Sequence, residues 1–72
     1  MKVTEANRKM VKAFMKVLLS MNVREDTISI ICMMLRDEEQ MDEVFQYLKK
    51  NPQAKENEIL AETIRIREQN QV

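Results

Sequence analysis

The chain has 72 residues, 44% apolar and 33% charged, with one cysteine, one proline, and neither glycine nor histidine. A chain this short buries only about 60% of its unfolded surface, so it can build one small domain with a thin core, while its apolar share argues against disorder. Missing glycine leaves sheets without their usual tight turns, missing histidine removes the commonest general base, and a net charge of zero conceals an uneven spread.

A first helix is expected over residues 4–21, with Thr4 as its N-cap. Ala6, Met10, Ala13, Phe14, Val17, Leu18 and Met21 recur on one face, and Glu5, Arg8, Lys9, Lys12 and Lys16 lie opposite. Val11, Met15 and Leu19 leave that face along their own i, i+4, i+8 line. Asn22 is expected to close the helix in a left-handed conformation, where asparagine is the best substitute for glycine.

A second helix is expected over 24–36, with Glu25 and Asp26 in the first turn, where acids suit the helix dipole. Thr27, Ile28, Ile31, Cys32, Met34 and Leu35 cover one broad face and Ile30 widens it. A helix apolar nearly all round belongs at the centre of a bundle. The third, over 38–50, opens with Asp37 as N-cap and Gln40 three residues on, a capping-box pattern. Met41, Val44, Phe45 and Leu48 give a narrow i, i+3, i+4, i+7 stripe, and Asn51-Pro52 ends the helix. The fourth is expected over 56–68, with Ile59, Leu60, Thr63, Ile64 and Ile66 on its apolar side and a weak cap at Lys55. A polar tail, 69–72, is expected to fray.

These elements predict an all-α bundle of three to four short helices, the second central, forming a single domain over 1–72. Its expected core is Met10, Phe14, Leu18, Ile28, Ile31, Leu35, Met41, Phe45, Leu48, Leu60 and Ile64. Residues 1–24 carry six basic and one acidic side chain, a balance of +5. Residues 25–47 carry one basic and seven acidic ones, a balance of −6, and the remainder is close to neutral. The basic first helix and acidic second and third are complementary, within one chain or between two.

No catalytic, cofactor-binding or metal-binding residue is expected. Cys32, Met33 and Met34 point about 100° apart around a helix and cannot converge on one ion. Cys32 reads as a small buried hydrophobe. Without glycine there is no phosphate-binding loop, and the carboxylate pairs of the third helix read as a solvated face. One cysteine forms no internal disulfide, the opening residues lack an apolar leader segment, and the apolar run 30–35 is too short to span a bilayer. A cytoplasmic protein without membrane contact is expected.

The favoured reading is a small non-enzymatic interaction module that forms a homo-oligomer, a dimer, through Val11, Met15, Leu19 and Met33. Seven methionines suit an adaptable contact surface. The alternative is a DNA-associated regulator or antitoxin-like protein, with Arg8, Lys9, Lys12 and Lys16 meeting phosphates. Nucleic acid is the less favoured partner, because the third and fourth helices present acidic outer faces.

Overall fold

The computed structural model describes residues 2–69. Those residues hold four helices and no strand: α1 (Arg8–Ser20), α2 (Glu25–Met34), α3 (Glu38–Lys50) and α4 (Glu56–Gln69). The all-α bundle expected from the 3.6-residue spacing is the architecture observed. A radius of gyration of 11.2 Å equals the value of about 11 Å for a well-packed chain of this length.

Polar side chains set the helix boundaries. Thr4 caps the turn that leads into α1, and does so reciprocally. The Asn7 backbone N–H donates to Thr4 Oγ1 (3.3 Å), and the Thr4 backbone N–H donates to Asn7 Oδ1 (2.7 Å). Residues 5–7 form turns, so regular helix begins at Arg8, four residues later than Thr4 suggests. At the other end Asn22 adopts φ 65°, as its sequence position predicts. The Val23 N–H reaches the Leu18 carbonyl and the Asn22 N–H reaches that of Leu19, both at 3.1 Å. These two bonds make a Schellman closure without glycine.

α2 stops at Met34, two residues short of the expected end, because Leu35 is already extended (ψ 133°) and Arg36 belongs to the next cap. There the Gln40 N–H donates to Asp37 Oδ1 (2.9 Å), the expected half of the capping box. Gln40 Oε1 accepts from the Arg36 N–H (2.8 Å) rather than from Asp37 itself. α3 ends at Lys50, where the Asn51 side chain donates to the Tyr47 carbonyl (2.9 Å) ahead of Pro52. α4 supplies its own cap: Glu58 Oε1 accepts from the Lys55 N–H (3.0 Å). It runs one residue past its expected end, to Gln69; the rest of the predicted tail, 70–72, lies outside the described residues.

The helices pack as a ring, with α1 and α4 each lying against both α2 and α3. The central place expected of the second helix is a correction: α3 bridges α1 and α4 just as α2 does, so no helix is central. α2 bridges α1 and α4, and Ile31 and the following Leu35 are wholly enclosed. Its outer side stays apolar: Ile30 is 50% and Met33 79% exposed. Every helix therefore contributes to one shared interior.

Phe14, Leu18, Ile28, Ile31, Leu35, Met41 and Leu48 are buried as expected, and Met10, Phe45 and Leu60 pack partly buried against them. Each fully buried side chain of this size contributes about 1.5–3 kcal/mol. Ile64 is a correction: it is 43% exposed. The inner line of α4 is Ile59, Thr63 and Ile66, at i, i+4 and i+7, so Ile64 is turned about 100° away from Thr63. Thr63 takes the buried position because its hydroxyl donates to the Ile59 carbonyl (2.8 Å). Across the core, Phe14 and Phe45 meet with ring centroids 6.0 Å apart and planes inclined at 52°. Lys49 places its ammonium 4.8 Å from the centre of the Phe45 ring.

Candidate interaction surface

The inner line of α1 is Val11, Phe14 and Leu18, again i, i+3 and i+7. That line rotates the buried face toward Val11, away from Ala6 and Ala13, which are exposed. Val11, expected at an interface, is 6% exposed and belongs to the core. Met15 and Leu19, the other members of its line, come out at the rim with exposures of 39% and 49%.

Met15 and Leu19 line a groove of about 210 Å³ together with Glu25, Ile28 and Ser29 of α2. Ile28 is buried and closes the floor. Met33, one turn beyond Ser29 on α2, is 79% exposed and lies outside the lining of this groove. The structure thus sets Met15 and Leu19 on one groove, leaves Met33 exposed on α2 outside its lining, and withdraws Val11 into the core. Glu25 and Ser29 were not among the candidates. Their signal was the four-residue step back from Met33, obscured by the apolar run on the opposite side of the helix.

Arg8, Lys9, Lys12 and Lys16 are all exposed. Helical geometry confines them to a strip spanning about 100° of the α1 circumference. Lys12, Met15, Lys16 and Leu19 follow one another at i, i+3, i+4 and i+7, so the basic strip borders the apolar rim directly. The ion pairs among the described residues lie elsewhere: Arg24 with Glu56 (2.8 Å) and Arg65 with Glu62. The charge complementarity expected between the first helix and the two after it forms no ion pair among the described residues.

The Arg24–Glu56 contact fixes the connection behind this face. Glu56 Oε2 accepts from Arg24 Nε (3.2 Å) and from a guanidinium terminal nitrogen (2.8 Å), while Oε1 accepts the Arg24 backbone N–H (3.0 Å). The carboxylate of α4 therefore caps the start of α2. The guanidinium hydrogen bond, joined by the backbone N–H, holds the Glu56 carboxyl below the ordinary carboxylate range. Cys32 packs half-buried against the core, and that burial pushes its thiol pKa up. A raised pKa leaves less of the reactive thiolate near neutral pH.

Among the described residues, no group of three or more His, Cys, Asp or Glu side chains is placed to hold a metal ion. No described helix is long and apolar enough to cross a membrane. Comparisons with known protein families, with curated proteins and with solved structures yield no match to this chain.

Proposed function

We propose that this chain is a small non-enzymatic protein–protein interaction module of the cytoplasm that self-associates through Met15, Leu19 and Met33. The observation behind this reading is the exposed pair Met15 and Leu19, set side by side over an apolar floor. Among the described residues, twelve buried apolar side chains form the core, and Met15 and Leu19 lie outside it, 39% and 49% exposed. Scattered exposed apolar residues are ordinary; grouped ones rimmed by charge mark contact surfaces.

Absolute mass by light scattering on a sizing column, at low and high salt, tests the proposal. The expected result is a dimer that persists at high salt. Met15→Glu and Leu19→Lys are expected to give monomers with unchanged helical circular dichroism. A monomeric parent chain at every concentration and salt overturns the reading.

A second reading rests on the basic strip, whose four cations lack ion-pair partners among the described residues. It makes the chain a DNA-associated regulator that meets phosphates through Arg8, Lys9, Lys12 and Lys16. Such binding falls steeply with salt, and Lys12→Glu with Lys16→Glu should abolish it without unfolding the chain. A DNA complex insensitive to those two reversals eliminates this contact.

A further inference from the structure

Building on the self-association proposed above, we infer that two copies meet antiparallel across the α1/α2 face, the basic end of one lying over the acidic end of the other.

The exposed acids of this face gather at one end, beside Arg24, while its basic residues Lys16, Lys12 and Arg8 run along α1 away from that end. α1 and α2 are joined through residues 21–24, and Glu25 and Asp26 stand exposed at that connected end. Both suit the positive end of the α2 dipole, yet neither meets a cation in an ion pair among the described residues. At 1.5 Å of rise per residue, Lys12 and Arg8 lie roughly 11 and 17 Å along α1 from its last turn. The far end of α2 returns to the same neighbourhood: Arg36 shares a surface hollow with Lys2 and Asn7, beside the start of α1. Asp37, Glu38 and Glu39 also border that hollow, from the start of α3. They moderate the basic end from the α3 side, while Arg8 and Lys12 lie on the side toward Leu19.

Met15 lies between the charged ends, with Leu19 in the last turn of α1 beside Glu25 and Met33 in the last turn of α2. Two copies stacked with like ends together would oppose Lys12 to Lys12 and Glu25 to Glu25. Turning one copy end for end opposes Lys12 and Arg8 to Glu25 and Asp26 twice over, once at each end, and closes a two-fold dimer. Pairs of this kind select orientation more than they add affinity.

A charge-reversal cycle measured by sedimentation equilibrium tests the arrangement. One variant carries Arg8→Glu with Lys12→Glu, a second carries Glu25→Lys with Asp26→Lys, and a third carries all four. Circular dichroism verifies that each is folded. In the antiparallel dimer either end-reversal opposes like charges, and self-association at low salt should weaken by about tenfold or more. The four-fold variant should recover most of that loss. The differences should shrink in 1 M salt, where the screening length is about 3 Å.

Like-end stacking predicts something else: reversing one end replaces one repulsion with another, and affinity stays near that of the parent. End-reversals without effect, in a chain that Met15→Glu still makes monomeric, overturn the antiparallel arrangement and leave the interaction module standing. A monomeric parent chain overturns both.

Discussion

Large apolar side chains are left exposed very unequally in the two halves of the bundle. Met15, Leu19, Ile30 and Met33 stand out on α1 and α2, whereas Ile64 alone does so on α3 or α4. Charged side chains stand exposed on both halves, Glu38, Glu39, Asp42 and Glu43 of α3 among them. On α3 and α4, Asp37 and Glu58 cap helix starts, Arg65 pairs with Glu62, and Lys49 covers the Phe45 ring. On α1 and α2, Arg8, Lys12, Lys16, Glu25 and Asp26 form no ion pair or cap hydrogen bond among the described residues. The two halves share one core but finish their surfaces differently: one presents mainly polar groups outward, and the other sets large apolar groups beside its charges.

Removing what the halves share should have the largest effect. Phe14→Ala deletes the α1 side of the aromatic contact with Phe45, and it is expected to cost about 3–5 kcal/mol in urea unfolding. Met33→Ser, on the open half, should change the stability of the monomer by less than about 0.5 kcal/mol. Equal costs at these two positions would erase the distinction between core and open face. Asp37→Ala attacks the more polar half through its cap, with an expected loss of about 1 kcal/mol. That loss should appear as a lower urea midpoint with an unchanged slope.

The smallest effect should come from the contact that ties the halves together. The folded-state pKa of Glu56 is lowered, first by its hydrogen bond with the Arg24 guanidinium. Its contribution to stability is therefore complete above the ordinary carboxylate value of 4.5 and is lost as pH falls through the lower folded value. Glu62, lowered by its hydrogen bond with Arg65, acts in the same direction. Glu56→Gln should flatten the decline in stability below pH 4.5 relative to the parent chain, with little difference in slope above it. An unchanged acid slope would remove Glu56 from the list of groups that protonate on unfolding.

Much of this arrangement was legible before the fold was known, because it depends on local chemistry. Asp37 with Gln40, Asn22 after a periodic run, and Asn51 before Pro52 each specify a boundary through bonds spanning a few residues. The failures share a different cause. Val11 and Ile64 were misplaced because periodicity gives the width of an apolar face, while the neighbouring helices fix its direction. α1 is rotated toward Val11 by packing on both α2 and α3. Thr63 displaced Ile64 because its hydroxyl could return to the Ile59 carbonyl, which removes the usual penalty for burying a polar atom. The groove was half visible: Met15 and Leu19 announced their own line, but Glu25 and Ser29 join them only once the chain has folded back.

A chain without glycine must shape its connections with other residues, and here asparagines, acids and a glutamine supply them: Asn7, Asn22, Asp37, Gln40, Asn51 and Glu58. The consequence lies in the denatured ensemble. Glycine has the most backbone freedom to lose on folding, and substituting it where the native angles permit stabilises a protein chiefly by narrowing the unfolded state. The unfolded form of this chain has no such hinges, so each connection is ordered from a more restricted starting distribution. That restriction offsets part of what a thin core lacks, and it lets a 72-residue bundle keep Met15, Leu19 and Met33 out of its own interior.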